Sequence, residues 1–274
     1  GDEPCRERIP LRGEDVRARL NVLSETPNEW REHLFRWTRI NKRAKALVEG
    51  QRVPDRNEEV LLYQTLIGVW PTRPMEKEAY EVFKGRIRDY ILKAVREAKV
   101  NTSWISPNQP YEENLLKFTD TVLARSRANA FLSDLEAFQA KIAYYGMFNS
   151  LSQTLLKIVS PGIPDFYQGT ELWDFNLVDP DNRKPVDWDL RKKLLASIRK
   201  RMEAPGANLK ELAKSLIQEW KDGAPKLYVV FKALNFREAN PGLFREGTYV
   251  TLGTKGNLRE HFCALARQKE EKAV

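Results

Sequence analysis

Apolar side chains recur at helical spacing through most of this chain, and a chain patterned in that way buries them by packing helix against helix. Over Glu29 to Glu49, the residues Trp30, Leu34, Trp37, Ile40 and Leu47 fall on one stripe. Over Glu76 to Lys99, Tyr80, Phe83, Ile87, Tyr90, Ile91 and Val95 do the same. The same reading predicts helices over Glu14 to Ser24, over Glu58 to Trp70 (ended by Pro71 and Pro74), and over Tyr111 to Leu123. A further helix, Ala128 to Val159, is long enough that a break is expected near Gly146. Between these segments, Asn101 to Pro110 reads as a polar, proline-broken connection. With 274 residues, 42% of them hydrophobic, the chain can close one or two cores.

The pattern changes at Ser160-Pro-Gly-Ile-Pro164, where proline lacks the N–H donor and clashes with the preceding turn. A long connection to Trp188 follows, and it carries Phe166, Tyr167, Leu172, Trp173 and Phe175, too many large apolar and aromatic side chains for a disordered linker. Helices are expected again over Asp189 to Met202, Asn208 to Lys221 and Ala224 to Asn240. Gly247 to Leu252 and His261 to Ala266 alternate like strands around Gly253 to Gly256. They read as a β module cut short at Lys269-Glu-Glu-Lys272.

The net charge of +8 raises the question of a nucleic-acid partner. Lys and Arg alternate with Asp and Glu, as in Glu76-Lys-Glu78 and Arg86-Ile-Arg-Asp89, which is the look of solvated helix faces. Only Arg191-Lys-Lys193 and Arg199-Lys-Arg201 are locally basic, so no nucleic acid is expected as a partner. No apolar run approaches the roughly 20 residues that span a bilayer, so no membrane partner is expected and the location is read as cytoplasmic. Cys5 and Cys263 lie near opposite ends and suggest neither a disulfide framework nor a metal cluster. Glycine-rich phosphate loops and metal-binding pairs are absent, and His33 and His261 read as structural. No metal and no organic cofactor is expected.

The most informative stretch is Pro161-Gly-Ile-Pro-Asp-Phe-Tyr-Gln-Gly-Thr-Glu171, followed by Asp179-Pro-Asp-Asn-Arg-Lys-Pro185 and Trp188. A short apolar strand ending in Tyr-Gln-Gly, then a loop of aromatics and carboxylates, supplies flat faces for sugar rings and planar groups for hydroxyls. The same residues equally suit a packed loop tied together by an Asp–Arg pair.

Gly162-Ile-Pro-x-x-Tyr-x-Gly-x-Glu171 resembles the segment at the end of the eighth barrel strand in α-amylase-type enzymes of glycoside hydrolase family 13. Within them the chain is similar to the maltooligosyl trehalose synthase family. That narrower resemblance rests on Arg12-Gly-Glu-Asp-Val-Arg-Ala-Arg19, Leu62-Tyr-Gln-Thr-Leu66 with Trp70-Pro71, and Thr102-Ser-Trp-Ile105 with Pro107-Asn108 and Tyr111-Glu112. Phe148-Asn-Ser-Leu151, Asp165-Phe-Tyr-Gln-Gly169 and Leu177-Val-Asp-Pro-Asp-Asn-Arg183 complete it.

The resemblance implies a C-terminal part of an enzyme that moves the reducing-end α-1,4 linkage of a maltooligosaccharide to the α,α-1,1 linkage of trehalose. It implies a retaining mechanism with a carboxylate nucleophile and a carboxylic acid/base, both on strands preceding Gly1. The family's third carboxylate stands in a His-Asp-Thr-Lys motif, where this chain reads Arg8-Ile-Pro-Leu11. Glu14 and Asp15 would open the next helix rather than catalyse. Hence no catalytic residue is expected here, and the chain alone is expected to be inactive.

The implied fold class is mainly α: a helical bundle-like region plus the last helices of a (β/α)₈ barrel, with a small C-terminal β appendage. Residues 1–25 and 124–205 would be the barrel remnant, 26–123 an inserted helical domain, and 206–274 helices with the start of a β domain. By resemblance, Tyr167, Gln168, Glu171, Asp179, Asp181, Asn182 and Arg183 are the expected substrate contacts, with Arg183 suited to pair with Asp179 or Asp181. Trp104, Asn108 and Tyr111 form a family-like loop that could also reach sugar. Tyr63 and Gln64 read as core and polar-network residues. The expected partner is a maltooligosaccharide in the intact enzyme. A non-catalytic glucan-binding module and a helical interaction protein are the alternatives.

Overall fold

The structure, a computed structural model, describes residues 12–177 and 181–274, so the expectations for Cys5, Arg8 to Leu11 and Asp179 lie outside the described residues. Helices dominate, with two small antiparallel sheets among the described residues. Two compact units are formed, one from residues up to Asn149 with Asp174–Pro185, the other from Ser150–Trp173 with Val186–Val274.

The first unit contains α1 (Glu14–Glu25), α2 (Pro27–Asn41), β1 (Ala46–Val48), β2 (Gln51–Val53), α3 (Arg56–Val69), α4 (Lys77–Ala98) and α5 (Gln109–Val122). It also takes the first two-thirds of α6 (Ala130–Val159). Helices α3 and α5 begin where a side chain satisfies an orphan amide of the first turn. Asp55 caps α3 by accepting from Glu58 N at 2.9 Å, while Glu58 Oε2 accepts from Asp55 N at 3.1 Å. Asn108 caps α5 in the same sense, its Oδ1 accepting from Tyr111 N at 3.1 Å.

The stripes read from the sequence meet in an aromatic core. Trp37 is fully buried and stands edge-on to Tyr63 and Phe131, at centroid separations of 5.4 and 5.5 Å. As expected, Tyr63 belongs to this core and to a polar network: its hydroxyl donates to Glu59 at 2.8 Å and accepts from Asn41 Nδ2 at 2.8 Å. Burial first, and then the Glu59 charge, drives the Tyr63 phenol far above its ordinary pKa. Glu59 is itself paired with Lys45 at 2.6 Å. His33 is structural too, with Nδ1 2.7 Å from Asp134 and its ring stacked on Phe138.

Two expectations for this unit fail. The helix expected over Glu29 to Glu49 stops at Asn41, and Ala46–Val48 turns back through Glu49 and Gly50 to pair with Gln51–Val53. Both turn residues have positive φ, 49° and 79°, as a two-residue hairpin loop demands. Leu47, counted in the helical stripe, is exposed on that hairpin. The break expected near Gly146 does not occur, because α6 is continuous and the glycine serves contact instead. A Cβ there would lie 2.8 Å from Arg19 Cα, so only glycine lets α1 approach so closely.

The second unit is α7 (Trp188–Glu203), α8 (Leu209–Gln218), α9 (Ala224–Ala239), α10 (Pro241–Arg245), β3 (Thr248–Leu252), β4 (Ala264–Lys269) and β5 (Lys272–Ala273), with the end of α6 and the loop after it. Ile198, Leu212, Leu216 and Leu227 bury together with Leu172. Lys269-Glu-Glu-Lys272 does not end the β module: Glu270 takes positive φ and β5 pairs back onto β4, making a three-stranded sheet in the order β3-β4-β5. His261 lies in a 3₁₀ turn ahead of β4 rather than in a strand.

Candidate functional site

The expected substrate contacts fall in both units, and each group has its own scaffold. Tyr167, Gln168 and Glu171 lie in the second unit on the loop that follows α6. Arg237 of α9 receives that loop, donating to the carbonyls of Ile158, Ser160 and Gly162 at the end of α6. The strand expected before Tyr167 is absent. Among the described residues no strand lies beside it, and a lone extended segment has no partner for its backbone polar groups. Ile163 is 96% exposed as a result.

Arg191 of α7 organises the turn at the tip. Its Nε donates to Glu171 Oε2 at 3.0 Å, its Nη2 to Gly169 O at 2.5 Å and its Nη1 to Asp187 O at 3.0 Å. Gly169 adopts φ of +93°, and Thr170 Oγ1 donates to Tyr167 O at 2.7 Å. This arrangement leaves Tyr167 and Gln168 exposed and half-buries Glu171. Lys157 lies 4.2 Å from the centroid of the Phe166 ring, and Trp173 Nε1 donates to Trp220 O at 2.7 Å, pinning the loop at both sides.

Asp181, Asn182 and Arg183 form a 3₁₀ turn in the first unit. The arginine that forks Asp181 is Arg86, with Nε to Oδ1 at 2.9 Å and Nη2 to Oδ2 at 2.7 Å. Lys184 donates to Oδ1, and Leu177 N donates to Oδ2 at 2.8 Å. Burial alone would raise the Asp181 pKa, but the hydrogen bonds from Arg86 and Lys184 outweigh it and hold the carboxyl below its usual range. A carboxylate held ionised in this way shapes a loop; it is not poised as a general acid. Asn182 Oδ1 is buried without a hydrogen-bond partner among the described residues, while Arg183 is exposed.

Glu14 and Asp15 occupy the first turn of α1, as expected of acids at a helix N-terminus. Asp15 Oδ2 accepts from Asp174 N at 2.7 Å, tying α1 to the 174–185 segment. Of the family-like loop, Tyr111 is buried and donates to Glu58, Asn108 is the α5 cap, and Trp104 is exposed.

Sequence reasoning missed Arg86 and Arg191, which it had placed among solvated or merely basic stretches. Their side chains are only 19% and 15% exposed. The one available signal was a carboxylate-rich loop in need of cations, and it did not say which ones.

No protein-family model matches the chain. A Mycobacterium tuberculosis protein provisionally named a maltooligosyl trehalose synthase is 33% identical over 256 residues, which is 93% of this chain and 28% of that protein. A crystal structure of maltooligosyl trehalose synthase matches with a TM-score of 0.77 at 33% identity, over 93% of this chain and 31% of its own. This chain is a relative of the maltooligosyl trehalose synthases. A hypothetical maltooligosyl trehalose synthase from Sulfolobus tokodaii matches with a TM-score of 0.72 at 30% identity, over 95% of this chain and 31% of that one. The chain therefore spans less than a third of the length of these maltooligosyl trehalose synthases. It matches them in a predominantly helical region with only small sheets.

Proposed function

We propose that this chain is the C-terminal part of a (1→4)-α-D-glucan 1-α-D-glucosylmutase of glycoside hydrolase family 13, acting in the cytoplasm in trehalose formation. In that reading the intact enzyme converts the terminal α-1,4 linkage of a maltooligosaccharide to α,α-1,1 by intramolecular transfer. The observation that carries it is the match to a solved maltooligosyl trehalose synthase across 93% of the chain, at a TM-score of 0.77.

The chain's own part is to present sugar contacts rather than to catalyse. Tyr167 and Gln168 offer a ring face and an amide on a turn held by Arg191, with Glu171 behind them. Asp179, Asp181, Asn182 and Arg183 supply a second group, of which Asp181 acts by fixing the turn that carries Asn182 and Arg183. Residues 26–123 are an insertion between barrel segments 1–25 and 124–205, and 206–274 lead into a β domain.

The test is calorimetric titration of the chain with maltopentaose, alongside an assay for non-reducing maltooligosyl trehalose. Binding without turnover, weakened by Gln168→Ala, is the expected result. Absence of binding would remove the loop contacts from the proposal, and turnover by the chain alone would overturn its non-catalytic role.

A further inference from the structure

The α4–α5 connection of the first unit bounds an open groove of about 680 Å³, lined in part by Lys99, Ser103, Ser106, Asn108 and Gln109. A smaller cavity of about 280 Å³ is lined by Glu97, Lys99, Ser103, Trp104 and Ile105. Lys99 and Ser103 border both, so the two are contiguous.

Trp104 is 55% exposed at this place and Ile105 94%, whereas Trp37 and Trp70 of the same unit are 0% and 5% exposed. The exposed indole is nevertheless held. The Arg96 guanidinium lies 4.7 Å from its ring centroid, and Arg96 is fixed by two hydrogen bonds to Glu112, at 2.8 and 2.6 Å. Thr102 Oγ1 donates to the same carboxylate at 2.6 Å, and Asn108 N donates to Thr102 Oγ1 at 3.0 Å. Ser106 N donates to Ser103 Oγ at 2.9 Å. The ring is thus backed by a cation and presented to water by a cross-linked loop.

Along the groove the exposed polar groups are mostly hydroxyls and amides, and the Gln109 amide has no hydrogen-bond partner among the described residues. One Lys99 and one Glu49 leave the lining without net charge. A phosphate or an acidic peptide would call for an excess of cations. A flat apolar face beside neutral donors and acceptors instead suits a ligand with a C–H face and a rim of hydroxyls.

We propose that this connection is a saccharide-binding site separate from the Tyr167 loop, with one pyranose stacked on Trp104 and the next units lying in the Lys99–Gln109 groove. That the saccharide is an α-1,4-glucan rests on the function proposed above; the saccharide class rests on the groove itself.

The experiment is a maltoheptaose titration of the chain with its tryptophan indoles labelled with ¹⁵N, the Trp104 resonance being assigned from Trp104→Phe. The expected result is a saturable shift of that resonance, kept in Tyr167→Ala, together with a maltoheptaose affinity that calorimetry finds about tenfold weaker in Trp104→Ala, the scale of losing one stacked ring. Trp104→Phe, which retains a ring on Arg96, weakens binding less and controls for folding. A Trp104 resonance unmoved while maltoheptaose binds elsewhere overturns this site and leaves the proposed function standing. A shift without any trehalose-type product in the intact enzyme supports the site while the proposed function fails. Cellopentaose moving the resonance as well as maltoheptaose overturns the α-glucan assignment.

Discussion

Arg86 grips Asp181 with two hydrogen bonds and with the same guanidinium donates to Phe175 O at 3.0 Å, although 95 residues separate the pair. One side chain of α4 thereby holds the 175–181 segment at two points. Arg86→Ala leaves a carboxylate only 12% exposed with Lys184 and one backbone amide. Breaking a buried pair costs several kcal/mol, and the retained partners offset part of it, so a loss of about 2 kcal/mol is expected in urea denaturation. Arg86→Lys recovers only part, because an ammonium cannot fork. Unchanged stability in Arg86→Ala would show that the fork contributes nothing.

The depressed Asp181 pKa gives this cluster a pH dependence. A carboxyl that ionises more readily folded than unfolded contributes stability that is fully present above its unfolded pKa and lost as pH falls through the folded one. Asp181→Asn is therefore expected to be less stable than wild type at neutral pH, with the gap closing in acid. Denaturation midpoints of the two proteins measured down the acid limb check this; parallel curves would rule it out.

Asp134 gathers three donors: Trp37 Nε1 at 2.6 Å, His33 Nδ1 at 2.7 Å and Arg36 Nη1 at 2.6 Å. Asp134→Ala strands the indole N–H of a fully buried tryptophan, for which about 2 kcal/mol is the expected loss. Asp134→Asn keeps one acceptor and is expected to lose less. Denaturation followed by tryptophan fluorescence reads both, and equal losses would mean that the indole hydrogen bond is not what matters.

Helices such as α3, α4 and α5 were legible to within a few residues, because their apolar period is sustained. The β1–β2 hairpin was not. Leu47 prolongs the stripe of α2 by accident of spacing, and only Glu49-Gly50 marks the turn. Gly146 was misread for a related reason: a glycine in a helix signals either a break or a close approach, and only the partner, Arg19, decides. At the candidate site the aromatic and acidic content of the loop was legible, yet its clamps were not. Arg86 and Arg191 lie 95 and 20 residues from the carboxylates they hold, and alternating charge looks the same in sequence whether the helix face is wet or packed.

The Gly146 contact reverses an ordinary expectation. Glycine to alanine in a helix interior normally gains about 1 kcal/mol. Here the added methyl meets Arg19 Cγ at 2.7 Å and Arg19 Cα at 2.8 Å. Arg19 cannot easily yield: it is 1% exposed, donates to Gly68 O at 3.2 Å and Trp70 O at 2.5 Å, and stacks 3.6 Å from the centroid of Phe175. Gly146→Ala is expected to destabilise by about 2 kcal/mol through overpacking, measured as a lowered urea midpoint. A stabilised variant would mean that α1 and α6 can move apart at no cost.

Arg191 separates a scaffolding role from a sugar-contact role. Its three hydrogen bonds reach Glu171, Gly169 and Asp187, so Arg191→Ala releases the turn without altering the Tyr167 and Gln168 side chains themselves. Amide exchange at Thr170 to Leu172 should quicken about tenfold, as expected when local opening becomes easier by about 1.4 kcal/mol. If the turn presents sugar contacts, maltopentaose binding weakens with it, because a ligand must then order what the arginine had ordered. Arg191→Lys keeps the charge without the fork and is expected to fall between wild type and alanine in both readouts. Faster exchange with unchanged maltopentaose affinity would make Arg191 a purely structural clamp and remove the Tyr167 loop from the sugar site. Unchanged exchange would mean that the turn is held by its backbone conformation at Gly169 instead.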